Sequence, residues 1–288
     1  MTLNNQLKII ECPRDAMQGL TFMVPSDIKI QYLNLLLKVG FDTLDFGSFV
    51  SPKAVPQMAD TAQLLAGLDL SSTKTKLLAI VANMRGVEMA CSHTEIHYLG
   101  FPLSISETFQ QRNTNAGIEQ GIELIKQTLD SCSNANKELV VYLSMAFGNP
   151  YKDFYSIELV ADYAGQLQEM GVRIVSLADT VGLANVEDVQ LLGNKIISQF
   201  PDIEIGMHLH SNPILAKEKL AASLATGCVR IDTALHGLGG CPFAEDELVG
   251  NMPTETLVQL ASETKLKTGL DLEMLKKAKE FLVNKILI

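Results

Sequence analysis

Eight short apolar runs alternate with amphipathic stretches from one end of this 288-residue chain to the other. Residues 7–12, 43–49, 76–82, 95–99, 139–146, 173–178, 203–210 and 230–235 read as strands. Most are short apolar runs bounded by polar or glycine residues, the pattern of strands buried on both faces. Between them, 26–39, 156–170, 186–200 and 214–225 carry helical periodicity, with Ser26-Asp27 and Ser156 as expected N-caps. A junction also repeats: Val39-Gly40-Phe41, Met170-Gly171-Val172 and Thr226-Gly227-Cys228 each close a helix on a glycine and lead into a strand. Glycine supplies the left-handed backbone that helix C-caps use. Eight such units predict a (β/α)8 TIM barrel, α/β in class, formed by residues 1–288 as a single catalytic domain. Residues 271–287 are expected as an extra C-terminal helix. A doubly wound open sheet is the alternative, but no GxGxxG follows the first strand.

A hydrophobic content of 47% is ample for one large core. The net charge of −10 argues against a general nucleic-acid binder, which needs a broad basic surface, and leaves room for an anionic ligand met by a few local cations. The five cysteines are odd in number and form no CxxC pair, which points to reduced thiols and a cytoplasmic protein. The N-terminus has no signal-peptide pattern and no apolar run reaches membrane-spanning length, so no membrane partner is expected.

In a barrel, the residues that end strands converge on the C-terminal face, where such enzymes do their chemistry. Arg14 and Asp15 follow the first strand, Asp45 and Ser48 lie late in the second, Asp179-Thr180 follows the sixth, and His208 and His210 end the seventh. Two histidines at i and i+2 on a strand point to one face. With Asp15 they make an oxygen–nitrogen set that suits Mg²⁺ or Mn²⁺ better than a closed zinc site. Adjacent side chains on a strand point apart, so Arg14 is expected to face a developing oxyanion and not to bridge to Asp15. After the eighth strand comes His236-Gly237-Leu238-Gly239-Gly240-Cys241-Pro242-Phe243, with Asn251 ten residues beyond Cys241. Free cysteines are usually buried, but the glycines here predict a loop that packs poorly as core and moves well as a lid. Cys12, Cys91, Cys132 and Cys228 read as structural, and His93, His97 and His236 as surface or packing residues. Asp179-Thr180 has two readings, a helix-entry turn or a role at the mouth.

Pro13-Arg14-Asp15 with Gln18, Ser48-Phe49-Val50-Ser51-Pro52-Lys53, Val55-Pro56-Gln57-Met58-Ala59-Asp60, Asn113-Thr114-Asn115, Asp179-Thr180-Val181-Gly182, His208-Leu209-His210 and Gly237–Pro242 together resemble the hydroxymethylglutaryl-CoA lyases, a group of metal-dependent TIM-barrel enzymes. The resemblance covers nearly the whole chain. It implies Mg²⁺ or Mn²⁺ bound by Asp15, His208, His210 and Asn251, with Cys241 as acid/base and Arg14 as stabiliser of the enolate oxygen. Asp179 is expected to join them in catalysis, and Gln18, Asp45, Ser48 and Thr180 to surround the substrate. The implied reaction cleaves the acyl-CoA substrate 3-hydroxy-3-methylglutaryl-CoA to acetyl-CoA and acetoacetate, a step of leucine degradation and ketone-body formation, in a homodimer. The pattern departs where Asp45 replaces the usual glutamate, where Ser211-Asn212-Pro213 follows the second histidine, and at Asn149-Pro150 in place of Cys-Pro. A related aldolase or Claisen-type synthase acting on another acyl-CoA or 2-oxo acid, and a non-catalytic metal-binding homologue, are the competing functions. Lys53, Arg85, Arg112 and Lys152 are the candidate partners for CoA phosphates.

Overall fold

The computed structural model describes residues 6–239 and 249–287. Eight parallel strands appear where the sequence places them: β1 (Lys8–Glu11), β2 (Thr43–Ser48), β3 (Lys76–Ile80), β4 (Ile96–Ser104), β5 (Glu138–Ser144), β6 (Ile174–Asp179), β7 (Glu204–Ser211) and β8 (Arg230–Thr233). Each pairs with its neighbours in sequence, and β1 pairs with β8, so the sheet closes on itself. That closure excludes the open doubly wound sheet and establishes the TIM barrel. A two-residue strand, β9 (Gly250–Asn251), adds antiparallel to the end of β7.

Burial on both faces explains the nearly continuous apolar strands. In β5, Val141 and Leu143 face the helices while Val140 and Tyr142 face the barrel axis. The interior cluster comprises Leu78, Tyr98, Val140, Tyr142 and Ile174. The much larger outer cluster lies between barrel and helices and includes Leu33, Leu36, Phe41, Phe46, Leu64 and Val141. Full burial of each such side chain contributes about 1.5–3 kcal/mol. The repeated junction holds as read: Gly40, Gly171 and Gly227 have φ of 85°, 95° and 83°, a conformation that strains any residue with a Cβ.

Three local expectations change. Ser26 does not cap its helix; it is the first helical residue of Ser26–Val39, and its hydroxyl donates to Asp60 Oδ2 at 2.6 Å. Ser156 does cap, accepting from Leu159 N. The fourth strand extends to Ser104 and does not stop near Leu99: Gly100 and Pro102 pair with Val140 and Tyr142 of β5 and continue it. A Cβ on Gly100 would lie 2.5 Å from Ile80 Cδ1, so the wall is tight there. The C-terminal helix Leu272–Phe281 runs into a π-turn, Leu282–Ile286, and Phe281 stacks on Tyr32 at 6.3 Å. Among the described residues, no helix is long and apolar enough to cross a membrane.

Candidate active site

The chain leaves β1 through Cys12 and enters a short helix, Pro13–Gln18, with proline at its first position. Arg14 and Asp15 therefore sit on a helical turn and not on a strand. Successive side chains there are rotated by about 100° and not 180°, which overturns the expectation that they diverge: Arg14 Nη1 donates to Asp15 Oδ1 at 3.0 Å. Gln18, one turn on, accepts from Arg14 Nη1 at 2.9 Å and donates to Asp15 Oδ1 at 3.0 Å. Arg14 Nε and Nη2 both reach Asp45 on β2, the Nη2 contact being 2.6 Å. Of the five guanidinium N–H groups, one on Nη2 is left for a ligand.

Burial works to raise the Asp15 carboxyl, but Arg14 and the two histidines outweigh it and hold it well below the usual carboxylate range. Burial pushes the Asp45 carboxyl up to about 6, against the pull of Arg14. Burial opposes the charge on Arg14, and the two acids more than restore it.

His208 and His210 both point inward from β7, with ring centroids 5.0 Å apart. His208 Nδ1 meets Asp232 Oδ2 at 3.0 Å. Burial lowers the His208 pKa, the Asp232 bond raises it, and the net shift is upward. His210 Nδ1 lies 3.1 Å from the Asp179 carbonyl and 3.2 Å from the Thr180 carbonyl. A nitrogen that donates to a carbonyl carries the proton, which leaves Nε2 with its lone pair. That Nε2 is buried, has no hydrogen-bond partner among the described residues, and stands 3.8 Å from Asp15 Oδ2. Donor atoms of Asp15, His208 and His210 all lie within 4.8 Å of one another. A carboxylate, two imidazoles and an orphaned nitrogen fit a divalent cation, with Asp232 and the backbone carbonyls orienting the rings from behind.

The pairing of β9 with β7 sets Asn251 directly opposite His210. Asn251 Nδ2 donates to Asp15 Oδ2 and to the Leu238 carbonyl, both at 2.8 Å. The approach depends on Gly239 (φ 97°): a Cβ there would lie 2.6 Å from Asn251 Nδ2 and 2.9 Å from the Asp15 carbonyl. Cys241 and the rest of its loop through residue 248 lie outside the described residues.

A cavity of about 420 Å³ opens above these groups. Arg14, Asp15, Gln18, Ser48, Thr180, His208 and His210 line it, as the sequence suggested. Asp45 and Asp179 do not. Asp45 is turned to Arg14. The Asp179 carboxylate accepts from Lys219 Nζ at 3.1 Å and from Ala184 N, while Lys219 also holds the His210 carbonyl. Asp179 thus ties the ends of β6 and β7 together behind His210 and does not face the cavity. Of the four candidate phosphate partners, Arg112 lines the wall, its guanidinium stacked 4.8 Å from the Tyr151 ring. His93 stacks on Phe49, His97 accepts from Leu77 N, and His236 is exposed, in keeping with packing and surface roles.

Sequence reasoning overlooked Asp232, Lys219, Tyr142 and Ser144. For Asp232 a signal existed: an acid in the apolar run Arg230-Ile231-Asp232-Thr233 must face the barrel axis if Ile231 faces the helices. Lys219 carried no comparable signal, since a lysine on a helix is ordinarily solvated.

Comparison with known proteins matches residues 6–282 to the HMGL-like family model. The Rattus norvegicus protein named 3-hydroxy-3-methylglutaryl-CoA lyase, cytoplasmic, is 32% identical over 97% of this chain and 81% of its own length. The structure of the Bacillus subtilis HMG-CoA lyase superposes with a TM-score of 0.90 at 31% identity, covering 98% of this chain and 94% of that one. An Acinetobacter baumannii HMG-CoA lyase, solved with coenzyme A and 3-methylmalate, gives a TM-score of 0.89 at 28% identity over 98% and 92%.

Proposed function

The chain belongs to the HMGL-like family, and from that premise we propose that it cleaves 3-hydroxy-3-methylglutaryl-CoA to acetyl-CoA and acetoacetate. The single observation that carries this reading is the buried Asp15–His208–His210 triad at the mouth of a closed barrel, with the Arg14 guanidinium beside it. Asp15, His208 and His210 would hold Mg²⁺ or Mn²⁺, with Asn251 as the candidate fourth ligand. When bound, such a cation would supply Lewis acidity that lowers the pKa of the substrate hydroxyl and makes loss of its proton accessible at neutral pH.

This chain's own groups do the rest. The C3 hydroxyl gives its proton to solvent in the cavity, the C3–O bond becomes the ketone carbonyl of acetoacetate as the C2–C3 bond breaks, and that bond's electron pair moves onto the thioester as an enolate. Arg14 directs its remaining Nη2 N–H at that oxygen, in a setting where Asp15, Asp45 and Gln18 already hold the guanidinium still. Ser48 and Thr180 line the cavity where the substrate's free carboxylate needs donors. Cys241 protonates C2 and completes acetyl-CoA. Arg112, on the cavity wall, is the candidate partner for a CoA phosphate. The experiment is to incubate the protein with Mg²⁺ and a panel of 3-hydroxyacyl-CoA thioesters and follow acetyl-CoA by mass. Metal-dependent release from the hydroxymethylglutaryl thioester is expected; release from another member only would reassign the substrate, and none from any would leave a binding protein.

A further inference from the structure

Beneath the triad, the barrel axis holds an arrangement that the proposed chemistry does not use. Arg230 is the bulkiest of the fully buried side chains. It points inward from β8, and Asp232, two residues on, points inward above it. Its side chain fits because β7 offers Gly206 opposite: a Cβ there would lie 3.1 Å from Arg230 Cδ and 3.3 Å from Ser176 Oγ. The guanidinium carbon stands 5.5 Å from the centre of the Tyr98 ring. Among the described residues only its Nη1 has a partner, Glu204 Oε1 at 3.4 Å, and Glu204 is in turn paired with Lys8 at the lower rim.

The other polar atoms of this layer are orphaned together. Among the described residues, Arg230 Nε and Nη2, Tyr142 Oη, Ser176 Oγ and Asp232 Oδ1 are all buried and without a hydrogen-bond partner. Asp232 is nonetheless the acid that acts most strongly on Arg230, and its other oxygen is the one that holds His208. Leaving buried polar atoms without partners is costly, and such groups in native proteins are met by ordered water when protein atoms do not reach. The inventory suits water and not an anion: the two unpartnered nitrogens of Arg230 bring three N–H donors, the two hydroxyls act either way, and Asp232 Oδ1 accepts. A molecule that accepts from Arg230 must also donate to Asp232.

We propose that Arg230 is a positioning residue for the metal centre: through ordered water in this layer, it fixes the Asp232 carboxylate that aims the His208 ring. The proposal rests on the metal-binding reading of Asp15, His208 and His210. It assigns the arginine at the barrel floor a task at the barrel mouth, carried by Arg230, water, Asp232 and His208 in turn.

Three variants test it, with Mn²⁺ affinity measured by calorimetry and the imidazole ¹⁵N spectrum recorded on metal-free protein. Arg230→Met keeps an unbranched apolar stem, and is expected to weaken Mn²⁺ binding roughly 10- to 100-fold, the usual cost of losing a partner behind a metal ligand. KM for the thioester should stay within about twofold, and the His208 signal should change from one Nδ1-protonated tautomer to a mixture. Arg230→Lys should recover part of the affinity. Ser176→Val, which fills the layer without touching the arginine, should weaken Mn²⁺ severalfold and serves where Arg230→Met does not fold. Glu204→Gln loosens only the lower contact and should leave both readouts unchanged. Wild-type Mn²⁺ affinity and a single His208 tautomer in folded Arg230→Met or in Ser176→Val would overturn the proposal, as would Glu204→Gln weakening Mn²⁺ as much as Arg230→Met. A wild-type protein that binds no Mn²⁺ would sink the metal reading, whereas the metal-free ¹⁵N spectrum judges Arg230 separately.

Discussion

Two buried arginines stand at opposite levels of the same barrel and are treated in opposite ways. Arg14, at the mouth, is locked by Asp45, Asp15 and Gln18, and keeps one N–H to spare. Arg230, at the floor, has one weak contact to Glu204 and a ring beneath it. The mouth holds its cation rigid, which suits the role proposed for Arg14, since a donor aimed at developing charge acts best when no reorganisation is needed during the reaction. The floor leaves its cation loosely bonded to protein, and the orphaned groups around it make a polar layer inside a structure whose centre is usually packed with branched apolar side chains. On the proposed readings, buried charge in one fold serves two purposes: chemistry where protein bonds lock it in place, and orientation of other groups where they do not.

The comparison breaks first at the triad. His208→Ala removes a metal-binding nitrogen and should lower turnover by about three orders of magnitude or more, with Mn²⁺ binding lost and the circular-dichroism melt little changed. A variant that still binds Mn²⁺ at wild-type affinity would remove His208 from the site. Arg14→Met should retain metal binding and slow turnover by roughly two orders of magnitude, since it removes a donor used mainly in the transition state. Unchanged kcat with a raised KM would make Arg14 a binding residue, and the contrast with Arg230 would lose its chemical half.

Smaller effects sharpen the comparison. Gly239→Ala forces a Cβ into a left-handed position against Asn251 and the Asp15 carbonyl, and should cost about 1–3 kcal/mol of stability with weaker Mn²⁺ binding. A melt and a titration equal to wild type would show that the backbone here yields easily. Glu11 offers a buried acid with no ion-pair partner among the described residues: it accepts from Leu235 N at 2.7 Å and from the Thr254 hydroxyl at 2.6 Å. Burial pushes its carboxyl from 4.5 up to about 8, against those two hydrogen bonds. The folded state therefore holds this proton more tightly than the unfolded state. Its stability contribution is complete below about pH 4.5 and is lost as pH rises through about 8. Glu11→Gln mimics the protonated acid and should flatten that decline, by on the order of 1 kcal/mol or more near pH 8. Parallel melting curves for the two proteins across that range would show that Glu11 titrates normally.

Much of the architecture was legible because it is local. The glycines at 40, 171 and 227 announce helix ends whatever surrounds them, and an apolar run of strand length is recognisable without its neighbours. The end of β4 was not legible, since Gly100 and Pro102 break isolated strands and only the packed barrel accommodates them. At the mouth, the positions of Arg14 and Asp15 follow from the strand they come after, and those of His208 and His210 from the strand they end. Their bonds do not: Arg14 meets Asp15 because the chain turns helical at Pro13, one residue earlier than a strand reading allows.

What the sequence determined by itself is the eightfold alternation, the chain positions that must gather at the C-terminal face, and the donor types placed there, because periodicity and residue chemistry are properties of short segments. Only the tertiary structure decided that Asp45 and Asp179 turn to Arg14 and Lys219 and away from the cavity, that β9 sets Asn251 opposite His210, and that Arg230 lies beneath Asp232 in a layer of unpartnered polar atoms. Those facts depend on strand register and on which side chains closure of the barrel brings within bonding distance, and residues more than 200 positions apart, such as Asp15 and Asn251, meet only when the ring is closed.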